Sequence, residues 1–127
     1  MEENNYVLGN DGVASKINVN SIDGFLQNMI LYAVNAPVCA IYLVTKPVFM
    51  IGYAADCDAV LQFSKEISRH HACISWKDGM YEIEDLGSTN HTYVNGKALF
   101  SNQPRVLKDG DRVSFASFVF EVRVIKY

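Results

Sequence analysis

Alternation of apolar and polar residues is the clearest pattern in the second half of this chain. The segments Ala72–Trp76 and Met80–Ile83 alternate on either side of Asp78-Gly79, as half-buried antiparallel strands do when a tight turn joins them. Val113–Phe115 and Phe118–Val124 predict a second pair. Two more dipeptides suit a turn with positive φ: Asn95-Gly96 and Asp109-Gly110. Many short strands with regular turns predict an antiparallel β-sandwich or barrel.

The first 37 residues show a different pattern. Apolar residues recur there at three- and four-residue spacing: Ile22, Phe25, Leu26, Met29, Ile30 and Ala33. Ser21 or Asp23 can cap such a segment and Pro37 would end it, so the pattern predicts one helix near residues 21–35. We therefore expect an N-terminal arm over residues 1–37 and a β-sandwich over residues 38–127.

Composition narrows the classes of function. A length of 127 residues suits one domain, and a formal net charge of −3 gives no basic face for nucleic acid. Cys39, Cys57 and Cys73 are odd in number and widely spaced, which favours reduced thiols in the cytoplasm. The acidic, polar start does not resemble a signal peptide, and no apolar stretch reaches the roughly 18–20 residues that span a bilayer.

Two segments rich in hydrogen-bonding groups interrupt the β pattern. The first, residues 66–72, contains Ser68 and Arg69, and the second, residues 85–96, contains Thr89 and Asn90. Hydroxyl and guanidinium groups are suitable donors to a phosphate, and an amide can bracket an extended peptide. Each residue alone is equally typical of a turn, because Ser, Thr and Asn bond their own backbone.

The order and spacing of these residues resemble the signature of the forkhead-associated (FHA) domain family. That signature has a Gly-Arg turn, then Ser-Arg-x-His about fifteen residues later, then Asp-Leu-x-Ser-Thr-Asn-Gly-Thr and an Asn-Gly hairpin. The matching residues here are Gly52, Ser68-Arg69-His70-His71, Asp85-Leu86-Gly87-Ser88-Thr89-Asn90, Thr92 and Asn95-Gly96. The resemblance covers roughly residues 38–124.

Membership of this family implies an antiparallel sandwich of about eleven strands that binds phosphothreonine peptides through loops at one end. By resemblance, Ser68 would bond the phosphate, Arg69 would add a second contact, Thr89 would lie beside the phosphate and Asn90 would hold the peptide main chain. His71 would tie the loops together as a framework residue. The other supporting residues would be Gly52, Asp85, Asn95 and Gly96.

Two positions depart from the family pattern. Tyr53 stands where the family has arginine, so a charged contact is lost. Such hydrogen bonds contribute about 1.5–3 kcal/mol each, which corresponds to roughly ten- to a hundredfold in affinity. His91 replaces a glycine, and a histidine tolerates positive φ less well, so we expect a reshaped loop, or a protonated His91 that supplies some of the missing charge.

Other chemistries fit the sequence less well. Ser68, His71 and Asp85 could form a catalytic triad, but no nucleophile elbow surrounds Ser68. No paired zinc ligands and no calcium loop are visible, so we expect no metal and no cofactor. We predict a non-enzymatic phosphothreonine-binding module with weakened or altered phosphate recognition, without nucleic acid or direct membrane contact. The alternative is a phospho-independent interaction or dimerisation module that uses the N-terminal arm or a sandwich face.

Overall fold

A computed structural model of the chain describes residues 5–8, 14–17 and 27–126. Within these residues the chain is all-β, and no helix there is long and apolar enough to cross a membrane. The strands are β1 (Asn5–Leu8), β2 (Ala14–Ile17), β3 (Gln27–Ala33), β4 (Ile41–Val44), β5 (Val48–Gly52), β6 (Ala59–Val60), β7 (Ala72–Lys77), β8 (Met80–Asp85), β9 (Thr92–Val94), β10 (Lys97–Ala98), β11 (Arg105–Leu107), β12 (Arg112–Phe115) and β13 (Phe118–Lys126).

The strands of the described part form a sandwich of two sheets and one further two-stranded sheet. One sheet has the order β10-β9-β12-β13-β3-β4, and the other has the order β11-β8-β7-β5-β6. All neighbours in these two sheets are antiparallel except β5 and β6, which run parallel. β1 and β2 pair only with each other. The two sheets have six and five strands, which confirms the predicted sandwich of about eleven strands.

The hairpins predicted from turn chemistry are confirmed. β7 and β8 pair across Asp78-Gly79, which have φ of 51° and 79°. β9 and β10 pair across Asn95-Gly96, also with positive φ, and β12 and β13 pair across Ala116-Ser117. Asp109-Gly110 has a different role, because it lies between β11 and β12, which belong to different sheets.

The predicted helix near residues 21–35 is wrong over residues 27–33, which form β3. β3 lies inside the six-stranded sheet, where it pairs with β13 on one side and β4 on the other. Met29 and Leu31 are fully buried and Ala33 is packed on the core, so the side chains alternate with period two. A spacing of four residues places Met29 and Ala33 on one face of either a helix or a strand, and the long-range pairing decides between them.

β3 is a strand of the six-stranded sheet and lies on the N-terminal side of the boundary predicted between residues 37 and 38. The part of the predicted helix over residues 21–26, including Phe25 and Leu26, lies outside the described residues.

The core lies between the two sheets. The five-stranded sheet contributes Phe49, Ile74 and Ile83, all nearly or fully buried. Phe115 and Phe120 enter from the six-stranded sheet, with ring centroids 5.6 Å apart. Burial alternates along β7 and β8, as the sequence pattern predicts. This packed interior is a rigid base from which the loops at one end project.

Candidate functional site

The two loops singled out in the sequence meet at one rim of the sandwich. We call residues 64–71, before β7, the Ser68 loop, and residues 86–91, between β8 and β9, the Thr89 loop. The Thr89 backbone N–H donates a hydrogen bond of 3.1 Å to Ser68 Oγ. Asn90 Nδ2 donates one of 2.9 Å to the carbonyl oxygen of Glu66. Residues more than twenty positions apart in the chain therefore form one surface.

His71 ties these loops together from beneath. Its side chain is fully buried, and its Nδ1 accepts a hydrogen bond of 3.0 Å from the Ser68 backbone N–H. Since Nδ1 is an acceptor, the ring proton lies on Nε2, which donates to the carbonyl of His91 at 2.8 Å. Burial lowers the pKa of His71, although the bond to that carbonyl acts in the opposite direction. A neutral imidazole is the form that this geometry needs, as expected for a framework residue.

Asp85 shapes the start of the Thr89 loop. Its carboxylate accepts hydrogen bonds from the backbone N–H groups of Gly87 and Ser88, both at 3.0 Å. It also accepts from the hydroxyls of Ser88 at 2.5 Å and Thr92 at 2.7 Å. Burial acts to raise the pKa of Asp85, but these bonds outweigh it, so the pKa lies below its ordinary value. A buried, ionised carboxylate thus holds the turn closed.

Gly52 allows β5 to approach the Ser68 loop. A Cβ atom on Gly52 would lie 2.1 Å from the carbonyl oxygen of Arg69, which no side chain can tolerate. The next two residues continue the contact, because the N–H groups of Tyr53 and Ala54 donate to the carbonyls of Ser68 and Arg69 at 3.0 Å. The residue at position 53 is therefore held beside Ser68 and Arg69.

The outward side of this rim is rich in donors. Arg69, Thr89 and Asn90 are exposed, and a cavity of about 220 Å³ is lined by Tyr53, Lys65, Ile67 and Arg69. Neither Lys65 nor Arg69 forms an ion pair within residues 28–125. The Ser68 hydroxyl already accepts the Thr89 N–H, so its own proton is free to point outward. The arrangement can bind an anion.

His91 has the left-handed backbone conformation that favours glycine. Its φ is 68°, and its exposed ring lies edge-on to Tyr93 with centroids 6.3 Å apart. The carbonyl of His91 accepts hydrogen bonds from His71 Nε2 and from the Ala116 N–H, at 2.8 and 2.9 Å. These two bonds hold the loop in place despite the unfavourable φ.

The structure does not assemble Ser68, His71 and Asp85 into a triad. Both ring nitrogens of His71 bond main-chain groups, and the bonds of Asp85 come from its own turn and from Thr92. A general base needs a ring nitrogen directed at the nucleophile's hydroxyl. His71 is thus committed to structure.

Asn95-Gly96 forms a turn that is bonded to the neighbouring strand of the six-stranded sheet. Asn95 donates from Nδ2 to Asp111 at 3.1 Å and accepts the Arg112 N–H at 2.9 Å. These bonds fix the β9–β10 hairpin on β12.

The sequence does not indicate the roles of several contributors to the site. The buried hydroxyls of Ser88 and Thr92 hold Asp85, and Lys65 and Ile67 complete the cavity beside Tyr53. Ser88 lies three residues after an aspartate, a spacing typical of side chain-to-backbone turns that could have signalled it. The cavity had no such local signal, because Tyr53 and Lys65 meet only through folding.

A two-sheet β-sandwich with donor-rich loops at one end is typical of domains that bind ligands through loops. Comparison with known sequences identifies the family. The FHA domain family model matches residues 49–116. The chain belongs to the FHA domain family, as its sequence signature predicted.

Two of the relatives are named as an enzyme inhibitor and a regulator. An oxoglutarate dehydrogenase inhibitor of Corynebacterium diphtheriae is 35% identical over 77 residues, which are 61% of this chain and 51% of that protein. The glycogen accumulation regulator GarA of Mycolicibacterium smegmatis is 34% identical over 61% of this chain and 46% of its own length. The chain thus spans about half the length of these relatives.

Solved structures give the same fold. Mycobacterium tuberculosis EmbR, in complex with a low affinity phosphopeptide, superimposes with a TM-score of 0.69 at 28% identity over 79% of this chain and 25% of that chain. A structure from work on phosphothreonine-dependent FHA domain interactions gives a TM-score of 0.64 at 27% identity, over 76% of this chain and 94% of the other.

Replacing Asp85 by alanine should strongly destabilise the domain. Four buried or partly buried donors would lose their acceptor, so Asp85→Ala should lower the free energy of unfolding by at least about 3 kcal/mol. The stability that the ionised Asp85 side chain contributes should be complete above its ordinary pKa of 3.8. It should be lost as pH falls through the lower pKa that Asp85 has in the folded protein. Urea unfolding between pH 7 and pH 2 measures both effects. Asp78→Asn, in an exposed turn, is the control, and equal losses in the two variants would contradict this account.

Replacing His91 by glycine should stabilise the domain. A left-handed residue other than glycine costs about 1–2 kcal/mol, of which the flexibility of glycine cancels about half. We expect His91→Gly to raise the free energy of unfolding by about 0.5–1 kcal/mol, measured by urea denaturation. Gln103→Gly, at an exposed position without positive φ, should lower it instead. A less stable His91→Gly protein would mean that the ring contact with Tyr93 outweighs the strain.

Proposed function

We propose that this chain is a non-catalytic interaction module that binds a phosphothreonine peptide in a signalling or regulatory pathway of the cytoplasm. The observation that carries the proposal is the hydrogen bond between Ser68 Oγ and the Thr89 N–H, which joins the two donor-bearing loops. A phosphate bound there would meet groups from both loops at once. Recognition would then depend on the folded rim and on no single short segment.

The phosphate would be held by three kinds of group. Ser68 would donate its hydroxyl proton, Arg69 would present a planar, forked cation, and Thr89 would add an exposed hydroxyl. Glu66 is the nearby carboxylate, and it accepts a hydrogen bond from Ser117 at 3.2 Å. That contact directs the acid toward the β12–β13 turn.

The peptide main chain would be held by Asn90. Its amide nitrogen is committed to the Glu66 carbonyl, whereas its side-chain oxygen makes no hydrogen bond within residues 28–125. An exposed carbonyl oxygen at this position can accept a backbone N–H of an extended peptide. His91 follows directly and is exposed, so its ring would border the same peptide.

The relatives support this function without identifying the partner. One similar structure holds a phosphopeptide, and another comes from phosphothreonine-dependent FHA interactions. The matched relatives are an enzyme inhibitor and a regulator of glycogen accumulation, which favours a regulatory role over an enzymatic one. The three cysteines are free, as suits a reducing compartment.

Tyr53 makes the phosphate contact weaker than an arginine would, and Lys65 offers partial compensation. Both residues line the cavity that also contains Arg69. Lys65 is exposed and forms no ion pair within residues 28–125, so its ammonium group is available to an anion bound beside Arg69. We infer that Lys65, beside Arg69, replaces part of the charge that Tyr53 lacks.

A phospho-independent interaction module is the second candidate. The tyrosine at position 53 favours it, and so does Phe100, which is 71% exposed on the β10–β11 connection. Met29 of the N-terminal arm is not available for self-association, because it is buried in the core of its own domain.

A phosphothreonine peptide library should contain sequences that bind the wild-type protein and lose binding without the phosphate. Ser68→Ala should weaken the selected peptide by about ten- to a hundredfold, since a charged hydrogen bond is lost. Isothermal titration calorimetry measures the change, with Ser75→Ala on β7 as the matched control. A well-folded protein that binds no library member, or binds phosphorylated and unphosphorylated peptides equally, would favour the second candidate.

The affinity for the phosphothreonine peptide should depend on the charge around the cavity beside Tyr53. Tyr53→Arg should tighten binding by about tenfold through a new charge-assisted hydrogen bond. Lys65→Ala should weaken it by about two- to fivefold at low salt, as expected for an exposed cation. Lys77→Ala, at the far end of β7, should have no effect. If Lys65→Ala matches Lys77→Ala while the peptide still binds, Lys65 does not contact the phosphate.

A further inference from the structure

Three side chains of different chemistry converge beside the Ser68 loop. Asp56 and Cys57 lie in the turn between β5 and β6, and His70 lies between Arg69 and His71. Their ligand atoms, a carboxylate oxygen, a thiol sulfur and an imidazole nitrogen, all lie within 4.8 Å of one another. His70 Nε2 is 3.0 and 3.2 Å from the two oxygens of Asp56.

Backbone contacts hold the thiol of Cys57 in this cluster. Cys57 is buried, and its Sγ donates a hydrogen bond of 3.2 Å to the carbonyl of Arg69. Its backbone N–H donates to the Ala54 carbonyl at 3.0 Å. Asp56 and His70 are open to solvent, with side chains 73% and 48% exposed. One donor is therefore fixed by the fold, and the other two can adjust around an arriving ion.

The donor set suits a zinc-type divalent ion. Zinc accepts thiolate, imidazole and carboxylate ligands at about 2.0–2.3 Å, which places neighbouring ligand atoms roughly 3.3–3.8 Å apart in a tetrahedron. A pair of ligand atoms at the 4.8 Å limit would need to approach by about 1.0–1.5 Å. A thiolate and a carboxylate together would neutralise the dication, and water could take the fourth position.

An ion pair between Asp56 and His70 would explain why these two side chains lie together. It would not explain the presence of the Cys57 thiol beside them. The neighbouring acid Asp58 is occupied elsewhere, because it bonds Lys46 Nζ at 2.7 Å and the Met50 N–H at 2.8 Å. Asp56 is thus the carboxylate of this turn that remains free for the cluster.

We propose that Asp56, Cys57 and His70 form a binding site for a zinc-type divalent ion. On binding, the Cys57 thiol releases its proton to solvent and exchanges its bond to the Arg69 carbonyl for a bond to the metal. The ion links the β5–β6 turn to the residue next to Arg69, so it restrains the Ser68 loop. The site requires no peptide, and its test is independent of phosphate recognition.

Cobalt(II) is the probe, because a cobalt–thiolate bond gives a charge-transfer absorption band. The reduced wild-type protein should bind one equivalent of cobalt with this band, and zinc should displace it. Cys57→Ser should abolish the band, while Cys73→Ser, which alters another thiol, should retain it. His70→Gln should weaken cobalt binding by at least about tenfold, since even the loss of a residue that only orients a ligand costs about ten- to a hundredfold.

The side chain of His70 is exposed, so His70→Gln should fold and keeps the test decisive even if Cys57→Ser does not fold. Zinc should raise the unfolding temperature of the wild type and not that of His70→Gln. The proposal is overturned if the wild type shows no thiolate band, or if the band persists in Cys57→Ser. A zinc shift that is equal in the wild type and His70→Gln would also overturn it.

Discussion

The binding rim of this domain depends on one buried, neutral histidine. His71 accepts from the Ser68 N–H with one ring nitrogen and donates to the His91 carbonyl with the other. Its edge contact with Phe115, at 5.8 Å between centroids, anchors the ring in the core that both sheets share. Because a neutral imidazole has one acceptor and one donor, a single side chain sets the distance between the two loops.

Around His71 the polar groups of the rim satisfy one another. Asp85 receives four hydrogen bonds, and no buried side-chain nitrogen or oxygen lacks a partner within the described residues. A buried polar network is rigid when every member is satisfied. Gly52 adds a steric condition, because only a residue without Cβ lets β5 reach the Arg69 carbonyl. The exposed donors are thus preorganised by buried residues beneath them.

Tyr53 and His91, the two departures from the family pattern, change different properties of the site. Tyr53 changes the charge of the rim but leaves its backbone intact, since its N–H still bonds the Ser68 carbonyl at 3.0 Å. His91 stores strain in the loop, where the hydrogen bonds to its carbonyl hold φ at 68°. The scaffold of the site is therefore retained while its electrostatics differ, which makes weaker phosphate recognition a coherent expectation.

Local chemistry in the sequence determined the hairpins at Asp78-Gly79 and Asn95-Gly96 and the identity of the two loops, because turn geometry depends on neighbouring residues alone. Only the tertiary structure decided that residues 27–33 form a strand, since pairing with β13 outweighs a spacing that also fits a helix. The same holds for the cavity beside Tyr53 and for the approach of Asp56 and Cys57 to His70. Such contacts join residues distant in the chain, and their distances exist only after the sheets have packed.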